Sequence, residues 1–338
     1  MQSKPRIAGV YVSALCLSVL TAPPARAAQG YSHFIVGNAG DVVTSTDGLV
    51  VLHGGGTDID DVFVRMGAAA GGGDFVVLRA SGTDAYNPYI YELCGCDSVE
   101  TIIFKNRQAA FDPFVVSRIR NAEALWIAGG DQSKYVTFWK NTPVEDAITA
   151  LASRPTPIGG TSAGTAVLGE FVYSAMSASS LTSSEGLSNP FHRDLTLERE
   201  FLVVPKMEGL ITDQHLQERD RMGRTVTFLA RLVNDGWTSD GRAIAADRET
   251  ALLVDPDDGS AQVISTPSHQ TPYVYFLRTP GPPEVCQPKT PLTYRNIAVY
   301  RIGPGGRFAL DAWEGKGGIA YTLSAEGGVL LSSRGEIY

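Results

Sequence analysis

One serine of this chain lies in a glycine-rich segment that is typical of a hydrolase nucleophile. The pentapeptide Gly160-Thr161-Ser162-Ala163-Gly164 matches the pattern Gly-x-Ser-x-Gly. This pattern forms a nucleophile elbow, a turn between a strand and a helix that is too crowded for large side chains. Residues 156–158 can end a strand, and residues 165–172 can begin a helix whose amino terminus stabilises negative charge. The sequence therefore predicts that Ser162 is a nucleophile rather than an incidental serine in a glycine turn.

A serine hydroxyl needs a general base, and the chain has five histidines. His215 has the most favourable setting, because Thr212 or Asp213 can cap a helix that holds His215 in its first turn. His192 and His269 lie close to prolines in segments predicted as loops. We therefore predict that His215 is the base.

Three arginines, Arg219, Arg221 and Arg224, follow this histidine closely. On the predicted helix Arg219 lies one turn beyond His215 on the same face, whereas the other two point elsewhere. Because a guanidinium binds a carboxylate through two parallel hydrogen bonds, the cluster indicates a pocket for an acidic substrate group. The alternative is a solvated helix face.

The oxyanion that forms during attack on a carbonyl needs backbone N–H donors. Ala163, directly after the nucleophile, offers one such donor. Gly55 and Gly56, in the glycine turn after residue 52, are predicted to offer another.

The elements that must position these residues alternate between strands and helices. Continuous apolar runs rich in β-branched residues predict strands buried on both faces of a parallel sheet, at residues 49–52, 75–78, 99–104 and 124–128. Helices are predicted between them, for example at residues 115–121 and 143–153. Three glycine-rich turns follow candidate strands, so they are expected to meet at one edge of the sheet. Beyond residue 255 short apolar runs alternate with Pro and Gly, which predicts a β-rich extension.

The amino terminus has the layout of a secretory signal peptide. A basic start precedes an apolar stretch at residues 7–20 and a small-x-small cleavage site at residues 25–27. The stretch is shorter than the roughly 20 residues of a membrane span. We predict a signal peptide at residues 1–27, a catalytic α/β domain at 28–255, and a β-rich extension at 256–338 packed on the same domain. The mature protein is then secreted or periplasmic and is not held in a membrane.

Charge and cysteine content exclude several partners. The formal net charge of -8 is unsuited to phosphate contacts, so no nucleic-acid binding is predicted. Cys94 and Cys96 are too close together for a zinc knuckle, and no second cysteine or histidine pair accompanies them, so no metal or cofactor is predicted. We expect at most one disulfide, from this loop to Cys286.

Taken together, the motifs resemble the cyanophycinase family of serine peptidases, which are related to peptidase E (an aspartyl dipeptidase) and to class I glutamine amidotransferases. The resemblance covers residues 33–255 and rests on Gly129-Gly130-Asp131-Gln132, the Ser162 segment, Asp213-Gln214-His215 and the three arginines. It implies a flavodoxin-like layered α/β fold, with a mostly parallel central sheet and helices on both faces. It also implies that Ser162 is the nucleophile and His215 the base. The positions that match the substrate pocket of the family are Gln132, Asp213, Gln214, Arg219, Arg221 and Arg224.

The substrate that the resemblance implies is cyanophycin, a poly-aspartate backbone with arginine attached to each side-chain carboxylate. A secreted exopeptidase of this kind releases β-Asp-Arg dipeptides through a Ser162 acyl-enzyme; short aspartyl peptides are the other substrate class. The family carries its third triad residue as the Glu of Asp-Glu-x-Thr, whereas this chain reads Asp247-Arg248-Glu249-Thr250. Either Glu249 takes the role through a one-residue adjustment, or Asp247 does, or the orienting group lies elsewhere.

Two other functions fit parts of the pattern. An α/β-hydrolase esterase would use the glycine turn after His53 as its oxyanion loop and His269 as its base, with an acid such as Asp240 or Asp255. An inactive homologue would use the arginine pocket only to bind acidic peptides. A homodimer is left open.

Overall fold

The computed structural model describes residues 30–177, 179–270 and 272–338, so the predicted signal peptide lies outside the described residues. Within these ranges the strands are β1 (Tyr31–Gly37), β2 (Val50–His53), β3 (Asp74–Arg79), β4 (Ser98–Phe104), β5 (Ala124–Ile127), β6 (Ile158–Thr161), β7 (Val172–Tyr173), β8 (Leu197–Glu198), β9 (Leu210–Gln214), β10 (Arg242–Ala246), β11 (Thr250–Val254), β12 (Ser260–Ser265), β13 (Val274–Arg278), β14 (Tyr294–Ile302), β15 (Arg307–Ala309), β16 (Glu314–Lys316), β17 (Ile319–Glu326) and β18 (Val329–Ser332). The α-helices in the same ranges are α1 (Asp60–Ala69), α2 (Tyr86–Cys94), α3 (Pro113–Asn121), α4 (Gln132–Trp139), α5 (Pro143–Ala152), α6 (Ala163–Ala166), α7 (Ser183–Ser188) and α8 (Met222–Asn234), with a 3-10 helix at Arg107–Phe111. Among the helices described, none has the length and apolar character that a bilayer span requires.

The first sheet has ten strands in the order β1-β4-β3-β5-β6-β2-β11-β12-β15-β16. The strands from β4 to β2 in this order are parallel, and the strands at either edge pair antiparallel. Strands β3 to β6 are arranged as the first four strands of a flavodoxin-like sheet, and β2 occupies the fifth place. The predicted α/β fold with a parallel sheet at its centre is therefore confirmed.

Helices cover both faces of this sheet. Because successive residues of a strand point to opposite sides, each strand contributes side chains to both layers of helices. Val51 and Trp126 pack in one cluster with residues of α1 and α2. Leu52, Val76 and Ile127 pack in another cluster with residues of α3, α4 and α5. This double burial explains why the strands are continuous apolar runs rather than alternating ones.

The second sheet has six strands in the order β18-β17-β14-β13-β10-β9, of which only β9 and β10 pair in parallel. One face, with Ile211 and Ala243, packs against α8. The opposite face contributes Ile244 and Phe276 to the cluster that also holds Leu52 of the first sheet. The two sheets therefore share one core, which sets the distance between the loops that each sheet carries.

The β-rich part after residue 255 contributes strands to both sheets. Strands β12, β15 and β16 continue the first sheet, and β13, β14, β17 and β18 belong to the second. The β-rich character predicted for this part is confirmed, and the domain boundaries stay a prediction.

Two local predictions are wrong. Residues 210–214 form the buried strand β9 rather than the start of a helix, and α8 begins only at Met222. The polar residues that favoured a helix cap are instead satisfied inside the protein, because Asp213 is paired with Arg224. Cys94 is bonded to Cys96, whereas Cys286 is a buried free thiol packed in the cluster around α8, so the expected bridge to Cys286 is absent among the described residues.

Candidate active site

Ser162 lies in the turn between β6 and α6 with φ 52° and ψ -114°, a conformation that residues with a side chain rarely adopt. Two positions of the motif must be glycine because neighbouring backbone atoms leave no room for a side chain. A Cβ on Gly164 would lie 1.9 Å from the carbonyl oxygen of Ile127, and a Cβ on Gly160 would lie 2.6 Å from the backbone of Gly164. The backbone N–H of Ser162 donates to the carbonyl of His53 at 3.0 Å. The serine is therefore held in the geometry expected of a nucleophile elbow.

His215 directly follows β9, the edge strand of the second sheet, and its Nε2 lies 3.0 Å from Oγ of Ser162. The residue is 5% exposed, and its backbone N–H donates to the carbonyl of Gly54. Burial lowers the pKa of His215, and the carboxylate of Glu218 offsets part of that shift. The imidazole is therefore neutral at neutral pH, which is the state that can accept the serine proton.

Glu218 orients this imidazole, because its Oε2 lies 2.7 Å from Nδ1 of His215. A carboxylate at Nδ1 keeps the proton on that nitrogen and leaves Nε2 free to accept from Ser162. Sequence reasoning missed Glu218, although a glutamate three residues after the candidate base was visible.

The acids predicted for this position lie elsewhere. Glu249 accepts hydrogen bonds from Thr57 at 3.1 Å and from Arg248 at 2.6 Å. Asp247 accepts from the backbone N–H of Gln217 at 3.0 Å, and burial raises its pKa to about 7. Neither acid is hydrogen-bonded to His215, and the carboxylate that does contact its Nδ1 belongs to Glu218.

A cleft of about 280 Å³ opens beside Ser162. Its lining includes four of the residues predicted to contact substrate: Gln132, Gln214, Arg219 and Arg221. Gln132 donates weakly to the carbonyl of Tyr173 at 3.4 Å, and Arg221 donates to the carbonyl of Gln214 at 2.9 Å. The cleft therefore combines a nucleophile with two guanidinium groups.

Asp213 and Arg224, also predicted to contact substrate, lie beneath this cleft instead. Each is 1% exposed, and Nε of Arg224 donates to Asp213 at 3.0 Å. Burial alone would raise the pKa of Asp213, but the ion pair with Arg224 outweighs it and lowers the pKa. Arg224 also donates to Ser180, a residue of the cleft lining, at 3.0 Å. The pair supports the floor of the cleft and does not line it.

In the glycine turn after His53, one of the two predicted oxyanion donors is already hydrogen-bonded within the protein. The N–H of Gly55 donates to Nδ1 of His53 at 3.0 Å, and a Cβ on Gly56 would face Glu249 at 3.1 Å. The other predicted donor, Ala163, is the first residue of α6, where the N–H has no partner within the helix. A Cβ on Gly129 would lie 3.5 Å from Cβ of Ser162, and the next residue, Gly130, lines the cleft. The turn at residues 129–130 therefore borders Ser162 and the cleft, which makes it a further candidate for the second donor beside Gly55 and Gly56.

His269, the base that an esterase would need, lines a different cleft with Asp247 and Glu249. Of the two candidate bases, only His215 has a hydrogen-bond contact with Ser162.

Residues 86–195, which include the 129–132 turn and Ser162, match the sequence model of peptidase family S51. Cyanophycinases from Nostoc sp. and Trichormus variabilis are each 26% identical to this chain over 222 residues, which is 65% of this chain and 68% of theirs. A cyanophycinase from Geminocystis herdmanii is 21% identical over 262 residues, covering 73% of this chain and 87% of its own. The chain is a peptidase related to family S51. The predicted resemblance is thus confirmed.

The fold of this S51-related peptidase is also found in a solved structure. A peptidase from an acI-B1 Actinobacterium superposes with a TM-score of 0.52 at 16% identity, covering 78% of this chain and 98% of that chain. The likeness at this identity concerns the fold alone.

Proposed function

We propose that this S51-related peptidase hydrolyses cyanophycin to β-Asp-Arg dipeptides through a covalent intermediate on Ser162. The observation that carries the proposal is the hydrogen-bonded series Ser162–His215–Glu218 at the edge of a cleft that holds Arg219 and Arg221. A nucleophile, a base and an orienting acid in this order are the parts of a serine hydrolase.

The cleft lining favours a substrate with free carboxylates. Arg219 and Arg221 lie in the same cleft as Ser162. Burial lowers the pKa of Arg221 to about 10, which still leaves its guanidinium cationic at neutral pH. The side-chain oxygen of Gln214 is buried and has no hydrogen-bond partner among the described residues, so it can accept an N–H of a bound peptide. In cyanophycin the side-chain carboxylates of aspartate are bonded to arginine, so the free carboxylates that match Arg219 and Arg221 are the α-carboxylates of the attached arginines and the carboxyl terminus of the backbone. The relatives named cyanophycinases are consistent with such a substrate.

The proposed reaction runs in two halves. His215 Nε2 accepts the hydroxyl proton while Ser162 Oγ attacks the carbonyl carbon, and N–H groups of Ala163 and the 129–130 turn stabilise the oxyanion. The imidazolium then donates its proton to the leaving amine, the C–N bond breaks and an ester on Ser162 remains. Water, deprotonated by His215, then attacks this ester; the bond to Oγ breaks, the imidazolium returns the proton to Oγ of Ser162 and the acid product leaves. Glu218 stabilises the imidazolium in both halves.

The proposal includes export. Residues 1–27 carry the predicted signal peptide, and cleavage after residue 27 would release a secreted or periplasmic enzyme. Expression of the full chain, fractionation of the cells and sequencing of the amino terminus of the exported protein test this point. A protein that stays in the cytoplasm with an intact amino terminus contradicts it.

The activity is tested by incubating the protein with insoluble cyanophycin and measuring β-Asp-Arg by mass spectrometry. We expect product from the wild type and none from Ser162→Ala. The control is Ser133→Ala, because Ser133 lines the same cleft but its hydroxyl donates to Asp131. Product from Ser162→Ala, or none from the wild type, contradicts the proposal.

Labelling with a fluorophosphonate probe separates the two ways in which the proposal can fail. Labelling of Ser162 without release of dipeptide means that the reaction class is right and the substrate wrong. Absence of labelling in the folded wild type indicates the inactive homologue that only binds acidic peptides.

A further inference from the structure

His53 is a fully buried histidine at the end of β2, beside the strand that leads to Ser162. In the parallel pairing of β2 with β6, His53 is opposite Thr161. Its Nδ1 lies 2.9 Å from Oγ1 of Thr161 and receives the N–H of Gly55 at 3.0 Å. One ring nitrogen therefore links the nucleophile strand to the glycine turn at residues 54–56.

These contacts fix the tautomer of the ring. Because the N–H of Gly55 can only donate, Nδ1 of His53 carries no proton and the hydroxyl of Thr161 donates to it as well. The neutral ring then carries its proton on Nε2. Burial, reinforced by the neighbouring His215, lowers the pKa of His53 to about 4, so the ring keeps this form at neutral pH.

The turn that His53 holds packs directly against the catalytic base. A Cβ on Gly55 would lie 2.2 Å from Nε2 and 2.6 Å from Cε1 of His215, so the Gly55 backbone already touches the imidazole. The carbonyl of Gly54 accepts the backbone N–H of His215 at 2.8 Å. The turn therefore forms a wall that limits how far the imidazole can move from Ser162.

The backbone of His53 supports the nucleophile from the other side. Its carbonyl accepts the N–H of Ser162 at 3.0 Å and the hydroxyl of Thr165 at 2.7 Å. The same residue thus contacts the turn that carries the nucleophile and the turn that confines the base.

We propose that His53 is a positioning residue: its neutral ring ties the Gly55 turn to β6 and thereby holds the imidazole of His215 against Ser162. The inference rests on the proposed roles of Ser162 and His215. It gives the segment His53-Gly54-Gly55-Gly56 a function other than oxyanion binding.

The test compares two variants of nearly the same shape, one with a hydrogen-bond acceptor and one without. In His53→Asn the side-chain oxygen occupies the place of Nδ1 and can accept from Gly55 and Thr161, whereas His53→Leu is similar in size and has no acceptor. The rate of Ser162 phosphonylation by a fluorophosphonate is measured as a function of pH, and imidazole NMR follows the titration of His215. Circular dichroism and thermal unfolding identify the variants that fold.

We expect His53→Leu to react about 10- to 100-fold more slowly, because a displacement of the order of 1 Å in the base has an effect of this size. The pKa of His215 should move upward toward its ordinary value, since a looser wall admits water. His53→Asn should react within about 3-fold of the wild type, because one acceptor at the Nδ1 position preserves the geometry.

Three outcomes overturn the inference: a folded His53→Leu with the wild-type rate, an unchanged His215 titration in that variant, or an equal loss of rate in His53→Asn. If His53→Leu does not fold, His53→Gln replaces it, since its amide lies beyond the Nδ1 position. If the wild type itself does not label, the proposed function fails, and the NMR titration of His215 still decides the role of His53.

Discussion

Replacing Glu218 by glutamine removes the carboxylate that lies 2.7 Å from Nδ1 of His215 and leaves a side chain of nearly the same size. The amide oxygen of the variant can still accept from Nδ1–H, so the change removes charge rather than the hydrogen bond. The lost quantity is the attraction between the carboxylate and the imidazolium that forms during proton transfer.

The magnitude follows from the separation of these two charges. Two unit charges about 4 Å apart attract by ~1 kcal/mol in water and by ~4 kcal/mol at an effective dielectric constant of ~20. The Glu218 side chain is 35% exposed and that of His215 only 7%, so solvent screens the pair in part. We therefore expect the barrier to rise by about 1–3 kcal/mol, which lowers kcat by roughly 5- to 150-fold.

The assay measures kcat and kcat/KM for dipeptide release, or the phosphonylation rate of Ser162, as a function of pH. Because Glu218 raises the pKa of His215, its loss should also move the acid limb of the profile to lower pH. Glu249→Gln is the matched control, since Glu249 contacts Thr57 and Arg248 instead of the base. Full activity in Glu218→Gln together with a large loss in Glu249→Gln would refute the assignment and restore the acid predicted from the sequence.

Three further predictions concern pH, packing and the base. Burial lowers the pKa of His215 below 6.5, and the base must be neutral to accept the serine proton. The value of kcat/KM should therefore be maintained just below pH 6.5 and fall only at more acidic pH. A profile that already falls above pH 6.5 contradicts this prediction. Asp213→Asn leaves Arg224 buried without a counter-charge. The free energy of unfolding, measured by urea denaturation, should fall by ~3–5 kcal/mol, whereas a change below ~1 kcal/mol shows that the ion pair is dispensable. Gly55→Ala places a Cβ 2.2 Å from Nε2 of His215, at a residue whose φ is +94°. The rate at which Ser162 is phosphonylated should therefore fall ~100-fold in the folded variant. A rate within ~3-fold of the wild type argues against the close contact.

The parts of the site that could be predicted from the sequence are those that depend on residues close together in the chain. The turn around Ser162 needs glycines at fixed offsets because backbone atoms such as the carbonyl of Ile127 lie close by, and that need is visible in five consecutive residues. The strands of the first sheet are likewise visible, since burial on both faces produces continuous apolar runs.

The acid beside His215 was not predicted, because the family pattern pointed to residues 247–250. His215 and Asp220 both have positive φ, at 50° and 46°, so the chain between β9 and α8 folds into a loop instead of a helix. This loop brings Glu218 to Nδ1 of His215. A glutamate three residues after a histidine would also lie beside it on a helix, so the family pattern at residues 247–250, and not the local geometry, directed the prediction away from Glu218. Asp213 led to the wrong prediction of a helix start. In a sequence, a buried aspartate that pairs with Arg224 cannot be told from an aspartate that caps a helix.

The placement of the nucleophile and the base on different sheets has a consequence for biosynthesis. Ser162 follows β6 of the ten-stranded sheet, and His215 follows β9, whose sheet is completed by β18 near the end of the chain. A partly synthesised or partly folded chain can therefore contain the complete nucleophile turn and still have no base beside it. Recovery of phosphonylation during refolding should then lag behind recovery of secondary structure, since it reports the docking of the two sheets. Until that docking is complete, the nascent protein should have no hydrolytic activity.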